Sequence, residues 1–234
     1  MGVNKYCCAL FDIDGTLVDS SWAHGLAWHL AFKEFGFDVS AEATNEDIGM
    51  GGMEIVQRHI GKELVDKLGK QIADFQLLLF QNEFISKIAP FPYASELVHC
   101  LAKRGINVLL ASSAPREVIE KFIDLLAVRE DLVYYVSGCE VAHGKPAPDI
   151  FLKALSDYCY KSNCLAKNRI VVIGDSPYDI EAAIKAGLQA IAVLNNGFSK
   201  EHLKGAKHIF STIKELYENV DALFIDNKLK CPIK

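Results

Sequence analysis

Three stretches of the chain run apolar and then stop at polar or charged side chains, and a fourth ends at Asn195. Tyr6 to Phe11 leads into Asp12 and Asp14. "VLLASS" (108–113) ends in two serines, "RIVVIGDS" (169–176) in Asp175 and Ser176, and "QAIAVLN" (189–195) follows it closely. Short runs of this kind, without apolar/polar alternation, suit strands buried on both faces of a parallel sheet. Amphipathic stretches lie between them. "LVHCLAKRGIN" reads as a helix that Gly105 ends, and "PYDIEAAIKAGL" as a helix with Pro177 in its first turn and Gly187 at its close. Strands alternating with helices predict an α/β fold, a doubly wound parallel sheet with helices on both faces.

One interval breaks this rhythm. From Asp12 to Ser112 the chain runs 100 residues with no further strand pattern, whereas a βαβ crossover unit needs only ~30. The surplus reads as helix. "SWAHGLAWHLAFKEFG" carries apolar residues at Trp22, Leu26, Leu30 and Phe35, and "MEIVQRHIGKELVDKLGKQIADFQLLLFQNEFISK" is long and rich in Leu, Ile and Phe. The expected organisation is a core domain of residues 1–17 and 88–234, interrupted by a helical cap domain at 18–87. The two prolines of "APFPYAS" (89–95) suit a hinge on the return. No internal repeat or low-complexity tract is present.

The strand ends gather chemistry. Ligands of open α/β sheets bind beyond the carboxyl ends of the strands. A parallel sheet would place Asp12, Asp14, Gly15 and Thr16 on one rim with Ser112, Ser113, Asp175 and Asp179, and with Lys145 from the loop "HGKPAPDIF". Two carboxylates about 4 Å apart repel by roughly 4 kcal/mol at an effective dielectric near 20, so something must offset the cluster. Oxygen ligands without His or Cys favour a hard cation, and one or two carboxylates with waters and a phosphate describe Mg²⁺. Such a cation and Lys145 would also let a carboxylate approach a phosphate, as in enzymes that form an aspartyl-phosphate. Ser112 and the backbone N–H groups of Ser113, Gly15 and Thr16 could hold phosphate oxygens.

Each of these residues also has a plainer reading. Asp-x-Asp at a strand end can be a turn or a cap. Ser112 and Ser113 could cap the helix that Pro115 enters. Lys145 could be a solvated lysine, and Asp179 could complement a helix dipole. His24, one turn before Trp28, could be structural. Met50 and Met53 in "GMGGME" (49–54) could be packing, or the glycines there, Gly52 among them, could make a flexible loop that reaches the substrate.

Composition narrows the classes. The 234 residues are 50% hydrophobic with a net charge of −5, enough for a sizeable core and without a basic field for nucleic acid. No apolar run is long enough for a membrane span. The start lacks the features of a signal peptide, Tyr6 does not fit a myristoylation signal at Gly2, and "CPIK" is an atypical prenylation box. Seven cysteines (Cys7, Cys8, Cys100, Cys139, Cys159, Cys164 and Cys231) form no CxxC pair. They suit reduced thiols in a cytoplasmic protein better than a zinc site.

"FDIDGTLVDS", "LLASS", "HGKPAPDIF" and "VIGDSPYD" resemble, in order, the four motifs of the haloacid dehalogenase-like hydrolase superfamily, over essentially the whole chain. The presence of Asp14 places the resemblance with the phosphatase branch. The helical insert looks like the cap of the subgroup that includes phosphoglycolate phosphatase, sugar-phosphate phosphatases and β-phosphoglucomutase. The resemblance implies that Asp12 is the nucleophile and a metal ligand, and that Asp14 is the general acid and base, with its backbone carbonyl also on the metal. It implies further that Ser112 binds the phosphoryl group, Lys145 neutralises Asp12, and Asp175 and Asp179 complete a Mg²⁺ site. His24 would face the cleft, as in the similar H-x-x-x-W of the sugar-phosphate group. For Asp14 to act as an acid near neutral pH, its pKa should be raised.

The expected function is a Mg²⁺-dependent phosphatase acting on a small phosphorylated metabolite like phosphoglycolate or a sugar phosphate, as a monomer or homodimer. The alternative is a phosphosugar mutase, although Gly52 and Pro115 stand where known mutases carry arginine and lysine. A non-catalytic binder of a phosphorylated ligand would be expected to lack Asp12 or Asp14.

Overall fold

The computed structural model describes residues 6–162 and 167–224. Cys164, Cys231, the "CPIK" ending and Gly2 lie outside the described residues. Strand β1 (Cys8–Phe11) is followed by helices α1 (Ser21–Glu34), α2 (Ala41–Glu46) and α3 (Gly52–Ile60). A helical run over 62–87 comes next, with its regular middle at α4 (Lys70–Leu79). Then come α5 (Ala94–Lys103), β2 (Asn107–Ser112), α6 (Arg116–Leu126), β3 (Leu132–Ser137), α7 (Asp149–Ser162) and β4 (Ile170–Gly174). The chain continues through α8 (Pro177–Lys185), β5 (Gln189–Val193), β6 (His208–Phe210), α9 (Ile213–Glu218) and α10 (Val220–Leu223). All six strands are parallel, in the order β3-β2-β1-β4-β5-β6. The strand order reverses on either side of β1, which puts Asp12 at a switch point of the sheet.

Alternating residues of the central strands enter two different cores. Ala9, Phe11, Val108, Leu110, Val171 and Ile173 join α5 and α6 through Leu97, Leu101, Ile119 and Phe122. Cys8, Leu10, Leu109, Ala111, Ile170 and Val172 join α7 and α8 through Ile150, Phe151, Ile180 and Ala183. Apolar contact on both faces explains why these strands show no alternation in sequence.

The insert has an apolar cluster of its own, made by Trp28, Phe32, Ile48, Ile55, Val56, Ile60 and Ile72. Its two stems, with Ala23 and Ala27 on one and Phe80 and Phe84 on the other, share the first sheet core. Two expectations need correction here. The fully buried face of α1 is Ala23, Ala27, Trp28, Ala31 and Phe32; of the apolar positions expected there, Leu26 and Leu30 are partly buried and Trp22 is 42% exposed. Alanines at every fourth position let neighbouring helices approach closely. The long second helix is also broken, because Gly61 at φ +79° ends α3. Beyond it the run has wider turns at Val65–Gly69 and Phe80–Phe84. Among the described residues no helix is long and apolar enough to cross a membrane.

Candidate active site

The loop leaving β1 is a tight turn set by its backbone. The Gly15 N–H donates to the Val18 carbonyl, while the N–H groups of Thr16 and Leu17 donate to that of Ile13. Gly15 has φ +80°, and a Cβ there would sit 2.4 Å from Asp175 Oδ2. Glycine is therefore required both by conformation and by the close approach of Asp175. The N–H groups of Gly15 and Thr16 are spent inside the turn, which corrects the expectation that they hold phosphate oxygens.

The turn brings three carboxylates together. Oxygens of Asp12, Asp175 and Asp179 all lie within 4.8 Å of one another, and all three residues are buried. Lys145, also buried, reaches Asp12 Oδ1 at 2.5 Å, Asp179 Oδ1 at 2.8 Å and the Ala111 carbonyl at 3.1 Å. The Thr16 hydroxyl bonds Asp175 Oδ1 at 2.7 Å and stands 3.2 Å from Asp12 Oδ2. Asp179 combines its expected helix-end role with this ion pair. Its Oδ2 accepts from the Ser176 hydroxyl at 2.6 Å and from the Ser176 N–H at 3.2 Å, in a capping box at the start of α8.

Three carboxylates against one ammonium leave a formal excess of two negative charges in a buried site. Burial pushes the Asp12 carboxyl up to about 7, with Asp179 and Asp14 adding to the rise and Lys145 opposing it. Burial, then Asp179 and Asp12, likewise raise Asp175 well above the usual range. Asp175 Oδ2 is buried without a hydrogen-bond partner. An orphaned carboxylate oxygen beside two others, with an excess of two negative charges, fits a hard divalent cation such as Mg²⁺.

Asp14, two residues on, meets different company. Its Oδ1 accepts from the Ser20 hydroxyl at 2.6 Å and faces His24 Nε2 at 3.0 Å, and its Oδ2 accepts from the Ser112 hydroxyl at 3.1 Å. Its carboxylate is outside the three-carboxylate group. Although burial alone would raise it, His24 and the hydroxyls of Ser20 and Ser112 bring the Asp14 carboxyl below its ordinary value. The expectation of a raised pKa is thus corrected. Ser112 also accepts from the Ala114 N–H at 3.0 Å, so its turn role and its contact with Asp14 coexist.

His24 is fixed from both sides. Its ring stacks on Phe80 with centroids 3.8 Å apart, and the Gln76 amide donates to Nδ1 at 3.3 Å. With Nδ1 accepting, Nε2 carries the proton that points at Asp14. Ser20, Gln76 and Phe80 are the supporting residues that sequence reasoning missed. Gln76 left one trace, a single amide in the apolar run "DFQLLLF".

A cleft of about 350 Å³ opens over Asp12, Asp14 and His24, and Trp28, Met50, Gly52, Met53 and Ser113 also line it. Gly52 lies against the Trp28 ring, while Gly51 makes the closer approach to the core. The Gly51 N–H donates to the Lys145 carbonyl at 3.1 Å, and the Gly144 N–H donates to Glu54 Oε1 at 2.8 Å. The loop of glycines and the loop of Lys145 are thereby joined, once backbone to backbone and once through the Glu54 side chain.

With this geometry in view, the relationships of the chain are clear. It belongs to the haloacid dehalogenase-like hydrolases, whose family model matches residues 7–187. It is 26% identical over 195 residues to validoxylamine A 7'-phosphate phosphatase of Streptomyces hygroscopicus subsp. limoneus, covering 80% of this chain and 85% of that one. It is 26% identical over 186 residues to phosphoglycolate phosphatase of Aquifex aeolicus, covering 79% and 83%. A hydrolase from Pseudomonas syringae has the same fold, with a TM-score of 0.84 at 23% identity over 93% of this chain and 99% of that one. The family is one of hydrolases, and both of these relatives are named as phosphatases.

Proposed function

We propose that the protein is a Mg²⁺-dependent phosphatase of small phosphate monoesters that works through an aspartyl-phosphate on Asp12. The observation that carries this reading is the buried group of Asp12, Asp175 and Asp179 around Lys145, two charges short of balance. Asp12, Asp175 and Asp179, with the backbone carbonyl of Asp14, would hold the cation. When bound, it supplies a counter-charge to the carboxylates and to the substrate phosphate.

The chain's own residues account for the rest. An Asp12 oxygen forms the new bond to phosphorus as the ester P–O bond breaks, and Lys145 Nζ holds Asp12 in place. The leaving oxygen takes a proton from Asp14, and Asp14 then takes one from the water that cleaves the aspartyl-phosphate. With its carboxyl held below the usual value, Asp14 is ready as a base. The arrival of a negatively charged phosphate beside it works the other way and favours its protonated form. Ser112 and the Ser113 N–H steady the transferring group, and Gly52 and His24 lie beside the substrate. The helices of residues 18–87 act as a cap that excludes water while the phosphoryl group moves.

The test is release of inorganic phosphate from a panel of monoesters with Mg²⁺ and with a chelator. Metal-dependent release supports the reading, and equal release under both conditions overturns the metal's part in it. Glucose 1-phosphate in the same panel separates the mutase alternative, which would yield glucose 6-phosphate rather than free phosphate.

A further inference from the structure

The cleft above the carboxylates has a composition that the phosphate chemistry does not explain. Trp28, Ile48, Met50, Met53, Ile55 and Leu77 all line it. Among the described residues no lysine or arginine lines it. Arg58 reaches Met50 Sδ at 3.5 Å, but its guanidinium is committed to Asp47 at 2.6 Å and to the Tyr178 hydroxyl at 3.0 Å. The charge the wall does carry is negative. Asp74 lines the cleft and is met by Lys70 from outside, at 2.6 Å.

Polar readers are also scarce. The Gln76 amide is engaged with His24, and His24 with Asp14. A sugar ring entering this space would bring several hydroxyls for which few partners remain, and each unmatched one costs affinity. A carboxylate or second phosphate would meet apolar walls and Asp74 instead of a cation. The volume, about 350 Å³, is near the lower end of the roughly 300–1,000 Å³ of small-molecule sites.

We propose that the alcohol portion of the substrate is a compact, mainly apolar group without a second negative charge, seated between Trp28, Ile55 and Leu77 while its phosphate faces Asp12. This rests on the phosphatase reading and gives it a substrate class. It argues against phosphoglycolate and sugar phosphates, the substrates that the resemblance first implied.

The experiment compares n-propyl phosphate with phosphoglycolate, which differs chiefly by a carboxylate, and adds n-butyl phosphate, n-pentyl phosphate and glucose 6-phosphate. Turnover is read as kcat/KM with Mg²⁺, and binding is read by calorimetry on the Asp12→Asn variant. Propyl phosphate should exceed phosphoglycolate by about tenfold or more, the factor that 1.4 kcal/mol makes. Each added methylene should gain roughly fourfold until the cleft is filled.

Met53 is 45% exposed, so a lysine in its place can keep its ammonium in water. Met53→Lys should therefore improve phosphoglycolate selectively, in a manner that salt suppresses. Preference for phosphoglycolate or glucose 6-phosphate over the alkyl esters, in either readout, overturns the proposal. If no ester is turned over but Asp12→Asn binds them in the expected order, the phosphatase reading fails and the substrate class stands.

Discussion

The two sides of the β1 loop differ more than their sequence separation suggests. On one side Asp12 joins Asp175 and Asp179 against a single ammonium, and burial among like charges lifts its carboxyl to about 7. On the other side Asp14 collects a histidine and two hydroxyls and is held below its ordinary value despite its burial. One isoleucine separates the two groups. In a strand residues two apart share a face, but Asp12 and Asp14 lie just past the strand end, where a tight glycine turn re-aims the second one. The difference teaches that two identical side chains can be prepared for different work by their neighbours alone. In the proposed mechanism one accepts a cation and a phosphoryl group, and the other moves protons.

The sharpest way to break the comparison is to remove the carboxylate from the Asp12 side. Asp12→Asn should lower kcat by about 10⁴-fold or more, as loss of a reacting group does, with circular dichroism unchanged. Substantial retained turnover in a purified preparation would refute the assignment. Next in size is Lys145→Met. It leaves the buried carboxylates without their cation and should cost about 3–5 kcal/mol of stability, the usual loss on breaking a buried pair. Urea unfolding without metal measures it, and an undiminished midpoint would show that Lys145 does not balance this group.

On the Asp14 side, His24→Gln should lower kcat by about 10- to 100-fold, the loss of a hydrogen bond to a charged group at roughly 1.5–3 kcal/mol. Because His24 helps to depress the Asp14 pKa, its loss should also move the acidic limb of the kcat profile to higher pH. A merely structural histidine would leave that limb in place.

The smallest effect is a pH dependence whose sign separates the two sides. Asp12 rises in the folded chain from 3.8 to about 7, and Asp175 rises too. The folded state then binds more protons than the unfolded one, so metal-free stability falls as pH rises from about 4 through 7. Asp14 has the opposite sign. Its contribution is present above the usual carboxylate range and lost as the pH falls through its lowered folded pKa. Thermal melts without metal should therefore decline by at least about 3 °C from pH 5 to pH 8, the scale of 1 kcal/mol in a chain this size. Mg²⁺ should flatten the decline. A metal-free curve that rises over that range would contradict the crowding of Asp12 and Asp175.

What could be read in the sequence followed burial and rigidity. β1, β2, β4 and β5 stood out because they are enclosed on both faces and admit nearly unbroken apolar runs. β3 and β6 did not, because they close the two edges of the sheet. Val133 is exposed, Tyr134 and Tyr135 are half-buried with their hydroxyls on Asp157 and Glu120, and β6 is three residues long. The acidic residues and Lys145 were legible because strand ends of a parallel sheet must share a rim.

The direction of the Asp14 shift was not legible. It depends on His24, Ser20 and Ser112, and His24 is itself held by Gln76, 52 residues on, a contact made only once α1 and α4 pack side by side. The same packing put the small alanines of α1 in the fully buried face and left Trp22 exposed.

The claim at the centre of this account is that Asp12 itself takes the phosphoryl group while Asp14 does not. Rapid acid quench during turnover of an alkyl phosphate with Mg²⁺, followed by peptide mass mapping, tests it most directly. The account expects a phosphoryl group on Asp12, absent when a chelator replaces Mg²⁺ and absent in Asp12→Asn. A phosphoryl group found on Asp14, or turnover with both aspartates unmodified at every quench time, would contradict it.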